Sequence, residues 1–344
     1  MDDVQEEKAA QSKPKEVKLK VRPTVFIAIG GSGKEILLRL RRRILNADWN
    51  GKRLQDLSEF PIANFLYFDL DTTDAKESDK SAKTDPFADT VVFQTGEVDQ
   101  RRLNHSLYTR ELDRFRLIKE WWPKANVERI ETPKGAGQFR PLSRLHFFSR
   151  ADELKEIIRQ KGKAVEASLT NEQALEALGL RQTQKDLRIV VVASVAGGTG
   201  SGSFLDMGYL LGTVFPEAET NLLLLLPSGF YMAGKEMVCA NGYAALMELE
   251  YCMRHNKYVE KWADHQLEVV VEAPYKEVYL LDITNMAGEA TRYTEDLYNM
   301  IADVLFEDFG SAEFAARKRS VAPNQQKHKT EYFRPELGET LGLK

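Results

Sequence analysis

The sequence predicts an α/β fold, with a mostly parallel, Rossmann-like sheet and helices on both faces. This prediction rests on short apolar runs rich in β-branched residues, longer amphipathic stretches between them, and glycine clusters where the two meet. Runs of the first kind are typical of strands buried on both faces. Because two parallel strands need a crossover, which is usually a helix, the regular alternation predicts a parallel sheet.

Strand-length apolar runs recur along the chain, at residues 24–29, 62–68, 187–195, 221–226 and 277–283. The stretches between them show helical spacing of apolar residues, for example at positions 36, 37, 40 and 44. In open parallel sheets, ligands bind outside the carboxyl ends of the strands. Functional residues are therefore expected in the turns that follow the strands.

Composition limits the classes of function that are open to the chain. Its 344 residues are 43% hydrophobic, enough for a large core, and a formal net charge of -4 provides no positive field for nucleic acid. No apolar run exceeds five residues, whereas crossing a bilayer takes roughly 20. Cys239 and Cys252 have neither zinc-site nor disulfide spacing. We expect a cytoplasmic protein with no nucleic-acid or membrane partner.

The first glycine cluster directly follows a predicted strand and opens a helix. Its candidate ligand-binding residues are Gly30, Gly31, Ser32 and Gly33. Glycines let the backbone turn sharply and approach a ligand, and the free amides of a helix N-terminus favour a phosphate. Taken alone, the cluster fits a phosphate loop and a tight turn without a ligand equally well.

Two familiar phosphate motifs do not fit this cluster. A Walker A loop requires glycine where Ala28 stands and Ser or Thr where Glu35 stands. A dinucleotide fingerprint requires glycine at Ile36, and the acid that ends the next strand, Asp69, comes too late in the chain.

The second glycine cluster, at 196–202, is the most specific signal in the chain. It lies between a predicted strand and a helical stretch predicted to begin at Ser203. Each glycine loses backbone entropy on ordering, so a close backbone approach to a ligand explains the cluster better than an ordinary turn. Two hydroxyls are expected to add donors. The candidate binding residues are Gly197, Gly198, Thr199, Gly200, Ser201 and Gly202.

This cluster resembles the glycine-rich signature loop of the tubulin/FtsZ superfamily, in which that loop wraps the phosphates of the nucleotide. The resemblance implies a bacterial tubulin-like protein whose GTP-binding domain takes GTP or GDP with Mg²⁺. It makes the first cluster the first phosphate loop. It also implies that Asp69 and Asp71 contact magnesium-linked water or sugar, although acids that merely end a strand in solvent are the open alternative. A further phosphate loop is implied at Gly135, Ala136, Gly137 and Gln138.

The resemblance extends to the last predicted helix, which corresponds to the long central helix of the family. By analogy Tyr298 stacks on the base and Asp303 accepts hydrogen bonds from guanine, whereas an ordinary amphipathic helix explains the same residues. The stretch after this helix lacks the family's Asn-x-Asp-x-x-Asp pattern. No catalytic or metal-binding residue is therefore assigned, and the candidates for a water-positioning acid are Glu307, Asp308 and Glu313.

The predicted organisation is a disordered polar tail at 1–22, a nucleotide-binding domain at 23–309, and at 310–344 a C-terminal tail or the truncated start of a second domain. The first functional hypothesis is a GTPase that self-associates head to tail. The alternatives are a nucleotide-switched module that binds a protein partner without polymerising, and a dinucleotide-binding oxidoreductase. The last alternative leaves the second glycine cluster unexplained.

Overall fold

A computed structural model of the chain describes residues 19–70, 98–99, 118, 121–123, 135–168, 171–182, 186–254, 258–262, 267–271, 273–284 and 293–310. The strands are β1 (Leu19–Val21), β2 (Thr24–Ile29), β3 (Ala63–Phe68), β4 (Val98–Asp99), β5 (Leu180–Gln182), β6 (Arg188–Ser194), β7 (Glu219–Leu225), β8 (Tyr258–Trp262), β9 (Leu267–Val271) and β10 (Glu277–Leu281). The α-helices are α1 (Gly30–Asn46), α2 (Arg140–Ser168), α3 (Glu172–Ala177), α4 (Gly198–Val214), α5 (Lys235–Arg254) and α6 (Thr294–Gly310). Short 3₁₀ helices span Leu57–Glu59 and Pro227–Ala233.

A six-stranded sheet in the order β10-β7-β6-β2-β3-β4 forms the centre of the described chain. Every neighbouring pair in it is parallel. Two further two-stranded sheets join β1 to β5 in parallel and β8 to β9 in antiparallel fashion. The predicted parallel α/β architecture is confirmed.

Helices cover both faces of the sheet because successive strand residues point to opposite sides. Val25 and Ile27 of β2 belong to a hydrophobic cluster that also contains residues of α2, α4 and α5. Phe26 and Ala28 belong to a second cluster, which contains residues of α1 and α6. Burial on both faces explains why β2 is continuously apolar rather than alternating.

The strand order reverses between β2 and β6. From β2 the chain continues to β3 and β4 on one side, and then returns to β6, β7 and β10 on the other. The segments after β2 and β6 therefore leave in opposite directions, which opens a crevice at the carboxyl ends of these two strands. The two glycine clusters immediately follow these strands.

Two predicted boundaries are wrong. Residues 19–22, assigned to the disordered tail, include β1, and Arg22 Nη1 donates to Glu219 Oε2 over 2.5 Å. The helix predicted from Ser203 begins at Gly198, so most of the second glycine cluster is the first turn of α4. Glycine disfavours helices, but close packing around this turn, described below, outweighs that preference. Residues 1–18 and 311–344 lie outside the described part of the chain.

Among the described helices, none combines the length and apolarity that a bilayer span requires.

Candidate phosphate-binding site

A cleft of about 170 Å³ opens where the strand order reverses, and it brings together three segments that the sequence predicts to bind phosphate. The predicted residues that line it are Gly30, Gly31, Ser32, Ala136, Gly137, Gln138, Gly197, Gly198, Thr199 and Gly200. The remaining lining residues were not among the candidate binding residues, although Ala196 opens the second glycine cluster; they are Ile29, Ser194, Ala196, Phe230, Ala233 and Val238. Phe230 and Ala233 belong to the 3₁₀ helix directly after β7. The sequence signal that could have identified them is their position directly after a predicted sheet strand, where ligands of parallel sheets bind.

Two helices begin at this cleft, α1 at Gly30 and α4 at Gly198. Their N-caps, Ile29 and Gly197, form no side-chain capping bond, and neither first turn contains an acidic residue. The first amides of a helix have no acceptor within the helix, and the helix dipole adds partial positive charge there. Two such ends at one cleft form a site that favours an anion.

The glycines around the cleft serve different purposes. A Cβ added to Gly31 or Gly197 would meet nothing within 4 Å. A Cβ added to Gly198 would lie 2.7 Å from Ala136 Cβ and 2.8 Å from the Phe139 amide nitrogen. Gly31 and Gly197 therefore leave space in the cleft open. Gly198 allows the segment before α2 to pack against α4.

Three predicted phosphate-binding glycines do not line the cleft. A Cβ at Gly33 would lie 2.4 Å from the Val192 carbonyl oxygen, and one at Gly202 would lie 2.3 Å from the Arg140 carbonyl oxygen. These two glycines are required by close packing within the protein. Gly135, with φ of +71°, forms part of the turn before α2. The phosphate-binding role predicted for the three stays a prediction, and none of them lines the cleft.

The hydroxyls of Thr199 and Ser201 are used within the protein. Thr199 Oγ1 donates to Asp69 Oδ1 over 2.8 Å, and Ser201 Oγ donates to the Gly197 carbonyl. A hydroxyl has only one hydrogen to donate. In this arrangement the two hydroxyls donate within the protein, and their role as donors to a ligand stays a prediction. The backbone amides and the Ser32 hydroxyl, which accepts from Tyr298, remain as donors at the cleft.

Asp69 lies behind the cleft rather than in it. Its carboxylate, 4% exposed, accepts hydrogen bonds from Tyr67 Oη (2.7 Å), Thr199 Oγ1 (2.8 Å) and the Leu70 amide (2.7 Å). These bonds join the end of β3 to the start of α4. The contact with magnesium-linked water or sugar expected for Asp69 stays a prediction beside this structural role. Asp71 lies outside the described residues.

Tyr298 of α6 reaches the first glycine cluster. Its hydroxyl donates to Ser32 Oγ over 3.2 Å, and the Arg39 guanidinium lies 5.5 Å from the centre of its ring. Burial raises the pKa of the Tyr298 phenol, so the group stays a neutral donor. The residue is only 9% exposed. Tyr298 itself does not line the cleft, but its hydroxyl contacts Ser32, which does, and Arg39 covers one face of its ring.

Asp303, expected to read guanine beside Tyr298, points elsewhere. Five residues along a helix correspond to about 7.5 Å of rise and to a rotation of about 140°. Asp303 Oδ1 accepts from Arg43 Nε over 2.5 Å, near the end of α1 that is remote from the cleft. The structure therefore separates the two residues that the resemblance pairs, and Asp303 is a partner of Arg43 instead.

The two candidate catalytic acids that the structure describes, Asp308 and Glu307, lie at the opposite edge of the sheet. Asp308 forms an ion pair with Arg188, the first residue of β6, whereas the cleft follows the end of that strand. Glu307 is exposed on the same part of α6. Neither acid reaches the cleft of its own chain, and Glu313 lies outside the described residues. Among the described residues, no group of His, Cys, Asp or Glu has the arrangement of a metal site.

The segment before α2 is held by bonds from two directions. Gln138 has φ of +63°, a left-handed conformation that is uncommon for a residue other than glycine. Its side-chain amide donates to the Ala233 carbonyl over 2.8 Å. Arg140 donates to the Ser201 carbonyl and pairs with Glu248 of α5. These contacts fix the third wall of the cleft against the other two.

Comparison with known proteins gives the following similarities. A family model described as "Tubulin like" matches residues 25–340. A search of curated proteins gave no significant match. Similar solved structures include CetZ from Methanosaeta thermophila strain DSM 6194, with 15% identity over 83% of this chain and 53% of that chain and a TM-score of 0.47. TubZ of Clostridium botulinum phage c-st, truncated at its C-terminal tail, has 14% identity over 82% and 59%, with a TM-score of 0.44. A GTPγS-form protofilament of TubZ from Bacillus thuringiensis serovar israelensis has 13% identity over 85% and 57%, with a TM-score of 0.45. The chain spans little more than half the length of each of these proteins.

Proposed function

Because this chain belongs to the tubulin-like family, we propose that it binds GTP or GDP at the cleft and hydrolyses GTP. The observation that carries the proposal is the meeting of two uncapped helix N-termini, α1 and α4, at the point where the strand order reverses. This arrangement supplies backbone amides and two positive helix ends to a chain of phosphates. Phosphoryl transfer depends chiefly on such positioning and charge stabilisation.

The residues around the cleft have different roles in binding the nucleotide. The backbone of Gly30, Gly31, Gly197 and Gly198 binds and orients the phosphates, and the open space at Gly31 and Gly197 admits them. Phe230 and Ala233 close the side of the cleft next to β7. Mg²⁺, which binds nucleotides through phosphate oxygens and water, supplies further charge compensation when bound. We also propose a cytoplasmic location, because free cysteines such as Cys239 and Cys252 are typical of that reducing compartment.

Calorimetry tests nucleotide binding. GTP, GDP, ATP and NAD are titrated separately into the chain, each with and without Mg²⁺. We expect GTP and GDP to bind more tightly than ATP, and Mg²⁺ to strengthen GTP binding. Preferential binding of NAD would support the oxidoreductase reading instead. The absence of binding by any guanine nucleotide would contradict the proposal.

A substitution at Gly197 tests the location of the site. Its φ of -89° and ψ of 177° suit any residue, and a Cβ there meets nothing within 4 Å. Gly197→Val should therefore fold normally but occupy space required by the phosphates, and weaken GTP binding by about tenfold or more. The matched control is Ala164→Val, on the exposed side of α2 and about 36 Å along that helix from its start. The control should bind GTP as the unsubstituted chain does.

Head-to-tail self-association is part of the same proposal. The cleft lies at the carboxyl edge of the sheet and Glu307 at the amino edge, so a head-to-tail contact places Glu307 of one copy near the nucleotide of the next. Glu307 is exposed, whereas Asp308 is paired with Arg188. Sedimentation with GTP and with GDP tests assembly, and Glu307→Gln tests whether this acid positions the attacking water. Equal pelleting in both nucleotides would contradict nucleotide-dependent assembly.

The pairing of Asp308 with Arg188 also favours a second candidate function. With this acid held by its own chain, the protein would serve as a nucleotide-switched module that binds another protein without polymerising. Slow GTP hydrolysis that does not rise with protein concentration would favour the module over the polymer. Hydrolysis that rises steeply with concentration would favour assembly.

A further inference from the structure

Asn241 of α5 connects two walls of the cleft without lining it. Its side chain is 7% exposed, and Nδ2 donates to the Gln138 carbonyl over 2.9 Å and to the Ala196 carbonyl over 3.4 Å. Gln138 belongs to the segment before α2, and Ala196 to the segment after β6. One planar amide group therefore sets the separation between two segments that contact the cleft.

These bonds also orient a peptide group that faces the cleft. In a trans peptide the carbonyl and the following N–H point in opposite directions, and the described chain contains no cis peptide bond. The Ala196 carbonyl points toward Asn241, so the Gly197 N–H points away from it. Gly197 lines the cleft and Asn241 does not. Holding the carbonyl thus turns an amide donor toward the space of the phosphates.

Asn241 has the donors required to orient the peptide group between Ala196 and Gly197. The amide of Ala196 already donates to Ser194 Oγ over 3.1 Å, within the protein. The next amide along the chain, that of Gly197, belongs to the peptide group whose carbonyl Asn241 contacts. A single neutral side chain that offers two N–H donors is an Asn or Gln amide. Leucine has a similar size and shape but leaves both carbonyls without these donors.

We propose that Asn241 is a positioning residue for nucleotide binding, which aims the Gly197 amide and holds the two phosphate-binding segments at their working distance. This inference rests on the proposed nucleotide-binding function and names a residue for which nothing in the glycine motifs gives a signal. It makes α5 a part of the binding machinery, although α5 contributes only Val238 to the lining of the cleft.

The test compares Asn241→Leu with Asn221→Leu. Asn221 is also buried, at 3% exposure, but lies in β7, where its amide donates to Glu219 near the amino edge of the sheet. We expect Asn241→Leu to weaken GDP binding by about tenfold, as the loss of hydrogen bonds to buried carbonyls suggests. Asn221→Leu should keep the GDP affinity within about twofold, a change of less than half a kcal/mol. Should Asn241→Leu not fold, Asn241→Asp decides, because it keeps the shape and replaces the donor by an acceptor.

Hydrogen exchange without nucleotide supplies a second measurement. Asn241→Leu should speed amide exchange in the peptides that cover 135–140 and 194–202, relative to both the unsubstituted chain and Asn221→Leu. A folded Asn241 variant with unchanged GDP affinity and unchanged exchange would overturn the assignment while leaving nucleotide binding intact. Failure of the unsubstituted chain to bind GDP would instead refute the proposed function, and the assignment with it.

Discussion

The hydroxyl of Thr199 donates to the carboxylate of Asp69 over 2.8 Å and ties the start of α4 to the residue that follows β3. Both side chains are buried, at 7% and 4% exposure. A charged acceptor in such a place requires its donors, because water cannot replace them. Two residues that the sequence assigns to ligand binding thus act first as a clamp between two parts of the cleft.

Thr199→Val tests this clamp. The substitution keeps the branched shape but removes a donor to a buried carboxylate, so the free energy of unfolding without nucleotide should fall by about 1–3 kcal/mol. Urea denaturation measures the change. Thr199→Ser, which retains the hydroxyl, is the control, and its free energy of unfolding should fall by less. Unchanged stability in Thr199→Val would show that the hydroxyl is not committed to Asp69.

Two glycines in α1 have different roles: Gly33 is required for packing, whereas Gly31 leaves space for a ligand. A Cβ at Gly33 would lie 2.4 Å from the Val192 carbonyl oxygen, whereas one at Gly31 meets nothing within 4 Å. Gly33→Ala should therefore destabilise the protein by about 1–3 kcal/mol through overpacking. Gly31→Ala should leave stability unchanged or raise it by up to about 1 kcal/mol, because alanine favours the helix. Thermal unfolding of the two variants without nucleotide makes the comparison. Equal effects would contradict the different roles assigned to these glycines.

His146 predicts a specific sensitivity to acid. It is fully buried in α2, and burial, together with the nearby Arg150 charge, lowers its pKa from 6.5 to about 3. The unfolded chain therefore binds a proton between these values that the folded chain does not, so stability falls as the pH drops below 6.5. By about pH 4 this amounts to about 3 kcal/mol. His146→Leu should remove this part of the pH dependence, measured as the difference between the two proteins in urea denaturation across the pH range. Parallel curves would contradict the neutral buried imidazole.

The two ion pairs of α6 differ in burial, so they should differ in their contribution to the free energy of unfolding. Asp308 and Arg188 have side chains that are 11% and 8% exposed, whereas Asp303, the partner of Arg43, is 60% exposed. Asp308→Asn removes the carboxylate from a buried ion pair and should cost about 3–5 kcal/mol of stability. Asp303→Asn should cost under about 1 kcal/mol. A larger loss from Asp303→Asn in denaturant titration would reverse this assignment.

Local sequence was sufficient to predict the architecture. The run at 24–29 is apolar without alternation because β2 is buried on both faces, and this pattern identifies a central strand. Because glycines disfavour helices, the sequence predicts a later start of α4 than the structure shows. At Gly198 the contact with Ala136, distant in sequence, outweighs that preference.

The segments that line the cleft were predictable from the sequence, but the contacts of individual side chains were not. Glycine spacing located the cleft at Gly30 and Gly197 because those turns follow adjacent parallel strands. The partner of Thr199 could not be predicted, because Asp69 comes close only when β3 and α4 are assembled. Asn241 had no local signal, since its donors meet carbonyls that are distant in sequence.

A crystal structure of the chain with bound GDP tests the central claim most directly. The account predicts that the phosphates lie between the N-termini of α1 and α4, with phosphate oxygens within hydrogen-bond distance of the Gly31 and Gly198 amides. Phosphates bound elsewhere on the molecule, with these amides left without contact, would contradict it.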